Sequence, residues 1–256
     1  MVRFFRFLSI LFWLIVFFLR AIIIKARTKD PILLRKKLAG NTSFTSRKML
    51  KPFGLKVNVI NRQNLNILKQ ENHLVIANHV SYTDIVVLSS AHPFVFITST
   101  EMAANPVLGD ITRYGGSLFT NRQKHTSLPQ EINNFSNALI QGFDLMLFPE
   151  GTSTNGATIS EFRKSLFQTS ITAQKPILPI CVRYKTIDGK LIETQTQRDK
   201  VCWYGDMFFL PHFWEIIKHQ FEVEVTILDE IPFDSAINRQ QLCEKVHQQL
   251  LAVYNQ

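Results

Sequence analysis

Residues 74–84, LVIANHVSYTD, set a histidine and an aspartate five positions apart. Four apolar residues of strand type stop at Asn78-His79. A polar turn, Ser81-Tyr82-Thr83, then leads to Asp84 and a second apolar run, residues 85–88. Histidine is the side chain best matched to proton transfer near neutral pH. A carboxylate on its far ring nitrogen fixes the tautomer and stabilises the imidazolium. On a continuous helix, residues five apart point about 140° away from each other. A turn between them lets Asp84 fold back on the ring, so the pattern predicts a general-base pair. Taken alone, the two residues also fit a structural pair. Ligands of open α/β sheets bind outside the carboxyl ends of strands, where this pair falls.

Three further stretches carry candidate chemistry. In residues 144–154, DLMLFPEGTST, another apolar strand ends abruptly at Pro149-Glu150-Gly151-Thr152. Glycine permits close backbone approach, and free N–H groups at a following helix start would favour an anion. Glu150 reads either as a ligand for substrate hydroxyls or a partner arginine, or as a solvated loop carboxylate. Residues 151–158, GTSTNGAT, mimic a phosphate loop but place Ala157 where the lysine belongs, which argues against nucleotide binding. Ser153 does not sit in a GxSxG elbow, which argues against a serine hydrolase. In residues 115–122, GGSLFTNR, Arg122 follows a short apolar run and could meet a phosphate. Residues 176–180, PILPI, read as a buried strand with prolines at its entry.

The surrounding elements follow from hydrophobic patterning. Residues 55–60, 74–78, 145–148, 177–182 and 223–228 read as strands. Helical patterns lie near residues 84–90, 130–141 and 161–174, with a last amphipathic helix over about 235–253. Alternation of the two predicts an α/β fold with a mostly parallel β-sheet flanked by helices. Residues 52–256 read as one domain of a size that buries a substantial core. Cys181, Cys202 and Cys243 are widely spaced, with no CxxC pair or Cys/His cluster. Reduced, inert thiols on the cytosolic side are therefore expected, and no metal site.

The first 51 residues have another texture. Residues 7–19, FLSILFWLIVFFL, hold Ser9 as their only polar member. Their helix of about 20 Å is too short for a hydrocarbon core of roughly 30 Å. Residues 4–24 are long enough only if Arg6 and Arg20 snorkel. No small-x-small site follows Leu19, so an uncleaved anchor is expected rather than a signal peptide. The run is apolar all round, which predicts an embedded helix, as a single span or a half-inserted monotopic one. Asp30 and Pro31 then start a basic helix that Gly40 can end, with a second short basic helix over residues 43–51. Residues 1–51 hold twelve basic side chains against one acidic, a net +11, leaving −2 for the remainder of the chain. Nucleic-acid enzymes place basic residues at their site. Here they flank the most apolar stretch, so the partner expected is an anionic lipid surface and not nucleic acid. By the positive-inside rule the catalytic domain lies in the cytoplasm, on the inner membrane. Residues 202–217, CWYGDMFFLPHFWEII, are rich in aromatics and suit core packing, the wall of an apolar channel or a membrane contact.

Together the motifs resemble the PlsC-like glycerolipid acyltransferase family, that of 1-acyl-sn-glycerol-3-phosphate acyltransferase. Asn78-His79-x4-Asp84, Gly116-x5-Arg122, Phe148-Pro149-Glu150-Gly151-Thr152 and the strand around Pro179 occur in the family's order, over about residues 73–185. Leu178 stands where that family commonly has valine or isoleucine. The resemblance implies that His79 is the base and Asp84 its orienting partner. It implies that Arg122, Glu150, Gly151 and Thr152 help to bind the acyl acceptor. The expected reaction moves an acyl group from acyl-CoA or acyl carrier protein to the free hydroxyl of a lysophospholipid. Lysophosphatidic acid is the acceptor expected first, with lyso-ornithine lipid or another lysophospholipid as the alternative. A non-catalytic lipid-binding module is the contrasting reading. No metal or organic cofactor is expected.

Overall fold

Leu74, Val75, Ile76 and Ala77 are fully buried, which only the middle of a sheet covered on both faces provides. The computed structural model describes residues 2–105, 108–121 and 125–256. Helix α1 (Val2–Arg27) and helix α2 (Pro31–Met49) come first, then strand β1 (Leu55–Ile60). Next are β2 (Leu74–Ala77), α3 (Thr83–Ala91), β3 (Val95–Ser99), α4 (Thr100–Ala104), α5 (Leu108–Tyr114) and β4 (Leu118–Thr120). The chain continues through α6 (Leu128–Ile140), β5 (Leu145–Leu147), α7 (Gln168–Ala173), β6 (Ile177–Ile187) and β7 (Lys190–Leu191). It ends with α8 (Gln195–Arg198), α9 (Phe209–Ile216), β8 (Phe221–Ile227) and α10 (Arg239–Tyr254). The sheet order is β1-β8-β6-β2-β5-β3-β4, with β7 hairpinned on β6. β8 and β7 run antiparallel to β6, and the other pairings are parallel. The α/β fold with a mostly parallel sheet is thus as expected.

The period of two along β2 splits the core into two layers. Val75 and Ala77 face a layer shared with Val87 and Leu88 of α3, Phe213 and Ile216 of α9, and Ile10 of α1. Leu74 and Ile76 face Phe135 and Leu139 of α6 and Val246 and Leu250 of α10. All three cysteines are buried and unpaired.

Two expectations for the N-terminal region are corrected. Gly40 does not end a helix: α2 runs unbroken from Pro31 to Met49, with Asp30 Oδ1 accepting from Leu33 N at 2.6 Å. An interior glycine costs only about 1 kcal/mol, less than the packing of α2 supplies. Nor is α1 surrounded by one medium. Ile10, Phe17 and Ala21 are buried against the protein, while Phe5, Phe12, Ile15, Leu19 and Ile22 are about half exposed or more. Arg6 Nη1 donates to Ile217 O (2.9 Å) and His219 O (2.7 Å) just beyond α9. Asn41 of α2 donates to Phe17 O at 3.0 Å and accepts from Arg20 Nε at 2.8 Å. Near the far end, Phe18 lies edge-on to Tyr114, and Lys25 sits over the same ring. The helix is docked along its side, not only at one end.

Sequence reading also misses β3, β4 and β7 as separate strands. β3 and β4 are short apolar runs whose strand identity comes from their pairing with each other and with β5.

Candidate active site

β2 ends where Asn78 turns its side chain into the ladder: Asn78 Nδ2 donates to Val182 O (2.9 Å), and Asn78 Oδ1 accepts from Val182 N (2.8 Å). The backbone thus leaves the sheet without losing its partners, and His79 is carried to the carboxyl edge. His79 Nδ1 lies 2.9 Å from Asp84 Oδ2. The same oxygen accepts from Val80 N (2.8 Å) and Ser81 N (2.9 Å), so the turn between the two residues is closed by the carboxylate itself. Asp84 is fully buried, and its other oxygen accepts from Tyr184 Oη at 2.8 Å. Burial, together with the negative charge of Asp84, holds the Tyr184 phenol well above its ordinary range, so it remains a donor. With an acceptor on Nδ1, the imidazole presents Nε2 as its basic atom. The ring is stacked on Phe148, with centroids 4.1 Å apart and planes 13° from parallel.

A hydrogen bond to a charged group contributes about 1.5–3 kcal/mol. Tyr184→Phe is therefore expected to lower kcat about tenfold, with KM unchanged, because it removes a donor to Asp84 and touches no substrate. A kcat within twofold of wild type would show that the three donors on the other oxygen suffice.

The second motif clasps the first through backbone. Glu150 Oε1 accepts from His79 N (2.7 Å), and Thr154 N donates to His79 O (3.0 Å). Glu150 Oε2 accepts from Ser160 N at 2.8 Å. No helix follows the motif: residues 151–163 are irregular, and the next element is a 3-10 turn, Lys164–Phe167. Gly151 has φ +80°, which strains any side chain, and a Cβ there would have to displace Arg163, whose Nε would lie 2.7 Å away.

Glu150 is buried, and burial pushes its carboxyl up to about 7, against the two backbone amides that favour the ionised form. A raised value stabilises the fold below the ordinary carboxylate range, and that contribution is lost as pH rises through about 7. The non-titrating Glu150→Gln variant should lack this component. Relative to it, the wild type should lose about 3 kcal/mol of stability between roughly pH 4.5 and 8, read from thermal unfolding in detergent. Parallel pH profiles for the two proteins would refute the assignment.

His79 stands on the wall of a cavity of ≈ 510 Å³ that is predominantly apolar. Phe148, Gly151 and Thr152 flank it on one side, and Tyr82, Phe209 and Phe213 on another. The cavity continues to Phe7, Ile10 and Leu14 on α1. It therefore links the polar end of the sheet to the apolar N-terminal helix. Arg163 and Ser165 also line it.

Of the expected site residues, the fold brings His79, Asp84, Gly151 and Thr152 together. Glu150 is adjacent but is not among the residues lining the cavity, and both its oxygens accept from backbone amides. Arg122 lies outside the described residues; β4 ends at Thr120, and Thr120 and Asn121 line the cavity. Tyr184 and Arg163 were missed. Tyr184 sits in an apolar strand pattern, where a core tyrosine looks the same. Arg163 falls at the start of a stretch with a helical pattern, where the structure is still irregular.

The family model for Acyltransferase matches residues 56–183, half of the chain. The chain belongs to the acyltransferase family. Among similar acyltransferases is a lyso-ornithine lipid O-acyltransferase of Rhizobium meliloti (strain 1021), 29% identical over 185 residues, which cover 69% of this chain and 63% of that protein. A 1-acyl-sn-glycerol-3-phosphate acyltransferase of Neisseria gonorrhoeae is 28% identical over 181 residues, covering 70% of this chain and 68% of that one. The chain thus spans about two thirds of the length of these relatives. The crystal structure of the 1-acyl-sn-glycerophosphate (LPA) acyltransferase PlsC from Thermotoga maritima superposes with a TM-score of 0.67 at 18% identity, over 100% of this chain and 97% of that one. That likeness establishes the same acyltransferase fold.

Proposed function

We propose that the protein transfers a fatty acyl group from an acyl thioester to the free hydroxyl of a lysophospholipid, with 1-acyl-sn-glycerol-3-phosphate as acceptor and phosphatidic acid as product. The observation that carries this reading is a buried Asp84–His79 pair on the wall of an apolar cavity that reaches α1. His79 Nε2 takes the hydroxyl proton as the oxygen attacks the thioester carbonyl. The imidazolium so formed is stabilised by Asp84 and returns its proton to the sulfur as the C–S bond breaks, so CoA or acyl carrier protein leaves as the free thiol. The apolar cavity accommodates an acyl chain, and no metal or organic cofactor takes part. Asp84 positions His79, and Glu150 positions the His79 backbone rather than the acceptor.

Arg163 is the cation on the described cavity wall that suits an anionic headgroup, packed over Gly151. Arg122 is proposed to join it from the end of β4. Arg163→Ala is then expected to raise the KM for a phosphate-bearing acceptor about tenfold, consistent with a lost charge-assisted hydrogen bond. The decisive assay offers purified protein a panel of lysolipids with matched acyl-CoA and acyl carrier protein donors. Preferential acylation of lyso-ornithine lipid would replace the acceptor named above. No acylation of any lysolipid would overturn the reading.

The docking of α1 also bears on the membrane arrangement. A 26-residue helix is about 39 Å long, and this one is held to the protein from Arg6 to Lys25. A span would have to strip those contacts. The monotopic arrangement keeps them and immerses only the outward face of α1, with its basic flanks at the headgroups of the cytoplasmic leaflet.

A further inference from the structure

Helix α9 carries apolar residues on two faces, roughly 100° apart. Its inner residues Phe209 and Phe213 line the cavity together with Trp203. Its outer residues do not retreat from the surface: Phe208 at its N-cap is 81% exposed, Leu210 62% and Trp214 44%. A helix whose apolar surface extends beyond its buried face is stable when that surface also meets apolar material. One side here meets the cavity. For the other, three large apolar side chains within seven residues form a patch that marks a contact surface rather than scattered exposure.

The position of that patch identifies its partner. Phe7 of α1 packs on Trp214 with centroids 4.9 Å apart and on Phe213 at 6.4 Å. Arg6 ties the start of α1 to the carbonyls of Ile217 and His219. The outer face of α9 is therefore continuous with the exposed Phe4, Phe5, Leu8 and Leu11 of α1. Lys218 follows directly and is paired with Glu215 of α9. Tryptophan and phenylalanine at the edge of an apolar surface form the composition of a membrane interface.

We infer that α9 is a second lipid-contacting element, immersed beside α1 in the same leaflet, so that one side of the cavity wall is itself in contact with the bilayer. This rests on the monotopic reading of α1 and extends it. A lysolipid already in the leaflet then needs to cross only the seam between α1 and α9, where Phe7 meets Phe213 and Trp214, to bring its chain into the cavity. The polar edge carrying His79 and Arg163 stays at headgroup level.

The test uses the full chain reconstituted in phosphatidylcholine–phosphatidylglycerol vesicles, with nitroxide labels on single introduced cysteines. The three native cysteines are buried and do not compete for label. Labels at Phe208→Cys and Leu210→Cys report on α9, Phe12→Cys reports on α1, and Ile140→Cys, on the opposite layer of the fold, serves as the aqueous reference. The expected result is that oxygen accessibility relative to a water-soluble nickel chelate is severalfold higher at 208, 210 and 12 than at 140. Positions 208 and 210 matching 140 while 12 reads as lipid would overturn the inference and leave the monotopic α1 standing. Position 12 matching 140 would remove the α1 reading on which it rests. Dipolar broadening between labels at 208, with low access to both reagents, would identify a second copy of the chain as the occupant and equally overturn it. As a functional readout, Phe208→Ser with Leu210→Ser should lower turnover on vesicle-borne acceptor severalfold while sparing turnover on detergent-dispersed acceptor. Equal loss on both would count against the lipid contact.

Discussion

His79→Ala is expected to lower kcat by about 10³-fold or more, at the upper end of what a positioned general base contributes. The fold should survive, for a reason the structure makes specific. The loop that holds His79 does so through its backbone: Glu150 accepts from its N–H, and Thr154 donates to its carbonyl. Both bonds remain when the side chain is cut back to Cβ. The side chain contributes a ring stacked on Phe148 and one bond to Asp84. A modest fall in thermal midpoint is expected, with circular dichroism and membrane partitioning unchanged. Steady-state acylation with labelled thioester gives the rate. Turnover within tenfold of wild type, in protein shown to be folded, would rule out His79 as the base.

Asp84→Asn has the second largest expected effect, about 10³-fold in kcat, below the roughly 10⁴-fold loss for the equivalent carboxylate of a Ser-His-Asp triad, where the tautomer is also lost. The mode of loss can be read from the donors. One oxygen of Asp84 faces three N–H donors, from His79, Val80 and Ser81, and the other faces the Tyr184 hydroxyl. An asparagine carbonyl therefore belongs at the three-donor site, with its amide turned to Tyr184 Oη, which can accept. The tautomer of His79 is retained and the negative charge is lost, so the imidazolium formed during attack loses its counter-ion. Thioester and acceptor KM values should stay near wild type, because Asp84 is fully buried and touches neither substrate. A large rise in KM with little change in kcat would mean that the substitution reshapes the pocket instead. The double variant Asp84→Asn with Tyr184→Phe should show less than the sum of the two single losses, since both act through one carboxylate.

Much of the architecture was legible because it is local. Residues 74–78 and 177–182 read as strands from short apolar runs, and the strands they mark, Leu74–Ala77 and Ile177–Ile187, stand near the centre of the sheet. The failures are also physical. Gly40 looked like a helix end, yet the packing of α2 outweighs the modest cost of an interior glycine. Residues 161–174 carry a helical period, but Arg163 N is bonded to Pro149 O and helix begins in earnest only at Gln168. The aromatic run over residues 202–217 left core, channel and membrane open. In the structure the helix divides, with Phe209 and Phe213 on the cavity and Phe208 and Leu210 outward.

The His79–Asp84 pair belongs to what sequence alone determined. Its partners are five residues apart, and the turn between them is closed by bonds from Val80 and Ser81 to the same carboxylate. A constellation of that range needs no knowledge of strand order. Tertiary structure decided everything that reaches the pair from far along the chain. Tyr184 meets Asp84 across a hundred positions because β6 lies beside β2. Glu150 closes on the His79 backbone because β5 lies on the other side of β2, so the carboxylate read as an acceptor ligand is bonded to backbone amides. The side-on seat of α1 depends on carbonyls more than two hundred residues away, beyond α9. Hydrophobic period reveals that a helix is apolar, but only the packed fold decides which of its faces meets protein and which is left for lipid.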